Sequence, residues 1–169
     1  EEDDDCLKLY KKLLDLLKKL KPANDRLKQA VADCNKAAAE VNKAQAAFSA
    51  ASNAVLTAKM NPNQTNALQA AIAAQNKTKS DYDQARQTWS DEKLLYQKYL
   101  KARIDAANEY DEAAEKYRKR CKKPAPPDYP KAPPPPIDPT SDTVIPPDVV
   151  ETPPPDETPS PTPTRAITT

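Results

Sequence analysis

Cys6, Cys34 and Cys121 are the side chains best suited to covalent chemistry in a chain of 169 residues that contains no histidine and no glycine. Thiols pair as disulfides, bind metal or act as nucleophiles, and the last two roles need neighbours that this sequence does not supply. Without histidine there is no imidazole base and no imidazole ligand, and three widely spaced cysteines do not make a zinc set. Without glycine there is no phosphate-cradling loop, dinucleotide fingerprint or nucleophile elbow. The carboxylates Glu92, Asp105, Glu109, Glu112 and Glu115 include pairs at helical spacing. On a lysine-rich helix they read as a solvated, salt-bridged face rather than an acid–base pair. Tyr82, Trp89, Tyr96, Tyr110 and Tyr117 interleave with Lys and Arg, as a base-stacking surface would. Their seven-residue step and a net charge of +1 favour helix packing over nucleic acid. The expectation is a protein with no enzymatic activity, cofactor or metal, whose cysteine chemistry is structural.

Heptad spacing supplies the elements that must position those cysteines. From Cys6, every seventh residue is apolar through Leu13, Leu20, Leu27, Cys34, Val41, Phe48 and Val55, and three residues after each comes Leu9, Leu16, Ala23, Ala30, Ala37, Ala44, Ala51 and Ala58. Such a run is the seam of a left-handed coiled coil. Pro22 falls within it without shifting the phase, which predicts one helix kinked there; the alternative is a turn at Lys19 to Ala23 and a three-helix bundle. The segment 61–66, Asn-Pro-Asn-Gln-Thr-Asn, combines turn formers with N-cap residues. Beyond it the aromatic row forms a second seam, interrupted by Arg103 and weakened near the turn by Lys79, Arg86 and Lys93. The predicted architecture is all-α: a long antiparallel hairpin over residues 1–123, with arms of about 3–60 and 65–123, followed by a proline-rich tail over 124–169.

A fold-back centred between Asn63 and Gln64 opposes residues whose numbers sum to about 127. Cys6 then meets Cys121, Tyr10 meets Tyr117, Leu17 meets Tyr110 and Val31 meets Tyr96, and the acidic run 1–5 lies beside the basic run 116–123. This register predicts a Cys6–Cys121 disulfide, with Cys34 left as a thiol or as the member of an intersubunit bond. The three-helix alternative pairs Cys6 with Cys34, and a third possibility leaves all three reduced.

The tail holds 17 of the 19 prolines, and two basic residues against seven acids give it a charge of −5, leaving +6 for residues 1–123. Its composition favours polyproline II or a disordered spacer. Its apolar islands Val144, Ile145, Val149 and Val150 are candidate anchors. The body offers Tyr10, Leu14 and Leu17 beside the seam and a face of Ala38, Ala39, Ala46, Ala47, Ala50 and Ala54 for lateral packing on copies of itself. The Leu/Lys-rich stretch 7–20 resembles a membrane-surface helix in composition, but its apolar residues continue the seam, so membrane insertion is not expected. A first residue Glu1 is the expectation for a chain whose signal peptide has been removed. Together these readings predict a secreted or cell-surface structural subunit that assembles into a fibre, stalk or coat, with the tail of one copy lying along the helices of others. The alternative is a spacer or binding module whose tail docks a partner protein or crosses a cell wall.

Overall fold

The computed structural model describes residues 2–121 and 127–140, which form two helices and no strand. Helix α1 spans Glu2–Lys59 and α2 spans Thr65–Cys121, a helical hairpin. α1 runs unbroken through Pro22, so the reversal at Lys19 to Ala23 and its three-helix bundle do not occur. The reversal falls at the proline–asparagine segment instead. Met60 N–H donates to Thr57 O and Asn61 N–H to Ala58 O, tightening the last turn of α1. Gln64 N–H then donates to Asn61 O across a turn with Pro62 at its second position, and Leu68 N–H donates to Gln64 O to start α2. Arg118, Lys119 and Arg120 in the last turn of α2 suit the negative end of its dipole.

Two compact units divide the chain, Glu1–Asn35 with Glu92–Pro136 and Lys36–Asp91 with Ile137–Thr169. In the first, Cys6, Leu13, Tyr110, Ala113, Ala114, Tyr117 and Cys121 form a closed core, with Leu9, Tyr10, Leu16, Leu17 and Tyr129 packed against it. Leu13, Leu20 and Leu27 are buried almost completely, each worth about 1.5 to 3 kcal/mol by transfer from water. In the second unit α1 buries Ala37, Ala38, Val41, Gln45, Phe48, Ser49, Ser52 and Val55. Its stretch of α2 buries no side chain to the same degree, since the buried residues of α2 begin only at Arg103. There Phe48 stacks on Tyr82 at 6.1 Å, and ion pairs at four-residue spacing, Lys77–Asp81 and Lys79–Asp83, run along the outside.

The seam differs from expectation in its second row. Of the residues three after each heptad position, Ala30 and Ala37 are buried as expected, whereas Leu9, Leu16, Ala23, Ala44, Ala51 and Ala58 are half-buried. The row four after contributes more buried companions: Asn24, Val31, Ala38, Gln45 and Ser52. Both spacings lie on the same side of a 3.6-residue helix, and the run of apolar residues in the first row concealed the polar members of the second. Ala38 therefore belongs to the interior, while Ala39, Ala46, Ala47, Ala50 and Ala54 are exposed. Tyr82, Trp89 and Tyr96 are likewise half-buried, unlike Tyr110 and Tyr117.

The hydroxyls of Ser49 and Ser52 are buried and find no hydrogen-bond partner. An unsatisfied buried hydroxyl costs about 1 to 3 kcal/mol. Ser52→Ala removes it and raises helix propensity, so stability is expected to rise by about 1 kcal/mol, read as a higher urea midpoint at unchanged slope. A lower midpoint would show that the hydroxyl has found a partner.

Candidate functional site: a dock for the proline-rich segment

The open end of the hairpin is closed covalently. Cys6 and Cys121 form a disulfide with their Cα atoms 5.7 Å apart, Tyr10 and Tyr117 pack ring to ring at 5.8 Å, and Arg120 donates to Asp5 at 2.8 Å. Cys34 remains a thiol and is fully buried, so an intersubunit bond from it would require the seam to open.

Beyond Cys121 the chain returns along the helices of its own first unit. Residues 127–140 have no regular secondary structure, and Pro133, Pro136 and Pro139 are half-buried between exposed neighbours. Over 133–139 that three-residue period matches the winding of polyproline II, which has three residues per turn and no internal hydrogen bonds and so leaves its carbonyls available to outside donors; nearer α2's end Pro127 and Tyr129 are half-buried and Pro130 is exposed. Two donors on α2 take carbonyls of the segment. Tyr110 donates its phenolic O–H to the carbonyl of Pro127. Arg103, buried, donates from Nη2 to the carbonyl of Pro130 at 3.0 Å. The other edge of the same guanidinium donates from Nε to Asn24 Oδ1 on α1 at 2.9 Å, and its carbon lies 5.6 Å from the ring centre of Tyr129. Tyr129 meets Tyr110 edge to face at 5.2 Å and donates to the Asp111 carboxylate at 3.0 Å. Arg103 thus ties α1, α2 and the returning segment together through neutral partners.

In the second unit Thr140 anchors the segment to α1, its N–H and its hydroxyl both donating to Asn42 Oδ1, the first at 2.8 Å. Over residues 127–140 the segment lies on the helices of its own chain. There the carbonyls of Pro127 and Pro130 accept from the buried donors Tyr110 and Arg103 of α2, so that acceptors and donors satisfy one another. The candidate anchors Val144, Ile145, Val149 and Val150 lie outside the described residues.

Both tyrosines of the dock resist ionisation. Burial pushes the Tyr110 phenol above its usual value, and the nearby Asp128 charge adds to that. Burial also raises Tyr129, helped by its hydrogen bond to Asp111. The neutral phenol is the form that donates in each case. A folded value above the unfolded value near 10 means that this stabilisation is fully present below about pH 10 and is lost as pH rises through the raised value. In a spectrophotometric titration, Tyr110→Phe and Tyr129→Phe are each expected to remove part of the latest absorbance change. An unchanged late phase in both variants would contradict the docked geometry.

Among the described residues no group of three or more histidine, cysteine or acidic side chains converges to hold a metal ion, and no helix is long and apolar enough to cross a membrane. The disulfide is compatible with an oxidising, extracellular setting. Sequence reasoning noticed Arg103 only as a break in the aromatic row and missed Asn24 altogether. Their numbers sum to 127, as do those of Cys6 with Cys121 and Tyr10 with Tyr117, so the predicted register already faced one polar side chain with the other. Comparison with protein-family models, curated proteins and solved structures finds no match to this chain.

Proposed function

We propose that this protein is a non-enzymatic structural subunit, exported or held at the cell surface, that assembles with copies of itself into a fibre, stalk or coat. The observation that carries the reading is the dock: the buried arginine and tyrosine of the first unit serve to hold a proline-rich strand against helices. Apolar surface for lateral packing supports it. Leu7 is 53% and Leu14 37% exposed on α1 in the first unit, and the second unit exposes Ala39, Ala46 and Ala50 in one row of α1. In this reading residues 141–169, with Val144, Ile145, Val149 and Val150, reach neighbouring copies. One observation favours the alternative of a spacer that displays its tail to a partner protein. Ile137 is 70% exposed, an apolar side chain presented by the proline-rich segment.

Negative-stain microscopy of the native, non-reduced protein, with sedimentation over a hundredfold range of concentration, separates the two. Filaments or ordered clusters are expected. A single species of monomer mass at every concentration would remove the self-assembly reading.

A further inference from the structure

We infer that the first unit is a receptor for polyproline II segments with proline at every third residue, and that its ligand in an assembly is residues 127–136 of a second copy. The inference rests on the self-assembly reading for the identity of the ligand, and on the geometry of the dock alone for the class of ligand.

Two periods match. Tyr110 and Arg103 lie seven residues apart on α2, a rise of about 10.5 Å at 1.5 Å per residue. The carbonyls they engage, of Pro127 and Pro130, lie three residues apart, about 9.3 Å in polyproline II at 3.1 Å per residue. One heptad step of helix thus offers one donor for each turn of the proline strand, and the two chains run in opposite directions. The next step carries Tyr96, with a phenolic hydroxyl, and the next turn carries Pro133, half-buried. A heptad row of Tyr and Arg is a ruler for a strand with Pro at every third position: the ring sets the backbone in the polyproline conformation, and the missing N–H leaves only acceptors for the row to satisfy. Recognition through carbonyls and period does not depend on whether the strand belongs to the same chain. A second copy presents the same segment, Pro-Asp-Tyr-Pro-Lys-Ala-Pro-Pro-Pro-Pro, and with it the Tyr129 ring that meets Arg103 and Tyr110.

Tethering decides when the second copy wins. Only five residues, 122–126, separate the end of α2 from the segment, and so short a tether gives the chain's own segment an effective concentration of about the millimolar range, so in dilute solution each dock holds its own strand. Within a fibre or coat the strands of neighbours reach comparable local concentrations, and exchange joins subunits without any new kind of contact.

The test weakens the resident strand and supplies the ligand from outside. In the full-length chain carrying Tyr129→Ser and Pro133→Ser, the dock on α2 is intact but its own segment binds poorly. A fluorescent peptide of residues 127–136 with the natural sequence is expected to bind it saturably by anisotropy. A peptide with one alanine inserted after Asp128, which sets the two engaged carbonyls four residues apart instead of three while keeping every original residue, is expected to bind at least tenfold more weakly. Adding Tyr110→Phe, which keeps the ring and the fold but removes one donor, is expected to weaken the natural peptide several-fold, and Arg103→Lys at least tenfold. Equal binding of the two peptides, no saturable binding up to millimolar peptide, or indifference to both Tyr110→Phe and Arg103→Lys would overturn the inference. The microscopy above is independent of it. Filaments without peptide binding would overturn the receptor and leave self-assembly standing, whereas specific peptide binding by a protein that never assembles would support the receptor's ligand class and overturn the second copy as its source.

Discussion

Removing the Cys6–Cys121 bond, by reduction or by the double substitution Cys6→Ala and Cys121→Ala, is expected to lower the free energy of unfolding by about 5 kcal/mol. The bond joins residues 115 positions apart, almost the whole hairpin. In the chain-entropy description a closed loop of that size costs the unfolded chain about 5 kcal/mol of freedom. For a body of this size that corresponds to a melting temperature lower by about 15 to 20 °C. Local contacts alone do not replace the bond: the Asp5–Arg120 ion pair beside it is largely exposed and is worth about 0.2 to 1 kcal/mol. The Tyr10–Tyr117 pair adds roughly 0.5 to 1.5 kcal/mol beyond burial. Urea unfolding of oxidised and reduced protein measures the difference directly. A shift below 1 kcal/mol would mean that the reduced, unfolded chain keeps its ends together. Cys34→Ala is the necessary companion. Its thiol is buried in the native fold and reaches the disulfide only after unfolding, where exchange would scramble the pairing.

The consequence extends to the dock. Pro127, whose carbonyl accepts from Tyr110, lies only six residues after Cys121. Pinning the end of α2 to α1 fixes where the proline strand begins its return, and Tyr129 belongs both to the strand and to the rim of the disulfide core. Loss of the bond is therefore expected to weaken the strand's docking along with the base of the hairpin.

Much of this was legible in the sequence because two of its signals are redundant. Heptad spacing fixed which residues face inward, and the proline–asparagine segment fixed where the chain reverses, so the opposition of Cys6 with Cys121 and Tyr10 with Tyr117 followed from arithmetic. The second buried row was not legible. An apolar row three residues after each heptad position competed with a mixed row four residues after, and only packing decides which of two adjacent faces the partner helix covers. The polar residues Asn24, Gln45 and Ser52 were hidden by that competition. Arg103 shows the same limit from the other side. A lone cation in an aromatic row looks like a defect until a third chain segment supplies the carbonyl that it holds. Composition identified the tail as polyproline-like, but nothing in a proline-rich composition says which surface the strand will lie on. That information sits in the seven-residue spacing of Tyr110 and Arg103, set against the three-residue spacing of Pro127 and Pro130.

Leu13→Ala should be the most damaging single truncation in the first unit, lowering stability by about 3 to 4 kcal/mol, while Leu14→Ala next to it costs less than about 1 kcal/mol. The two residues have identical chemistry and adjacent positions on one helix, so propensity cannot separate them, and alanine is the better helix former at both. Burial separates them. Leu13 is 0% exposed and sits in the core with Tyr110, Ala114 and Tyr117, whereas Leu14 is 37% exposed. Truncating Leu13 removes its transfer energy and leaves a cavity whose walls cannot collapse easily, because the disulfide on one side and the aromatic rings on the other hold them apart. The rings that line the cavity also carry the dock, since Tyr110 is the donor to Pro127. Leu13→Ala should therefore loosen the proline strand as well as the hairpin, and a titration of the Tyr110 phenol would detect it as an earlier ionisation. If Leu13→Ala and Leu14→Ala proved equally mild in urea unfolding, the base of the hairpin would not be the close-packed core on which both the disulfide's effect and the dock's geometry depend.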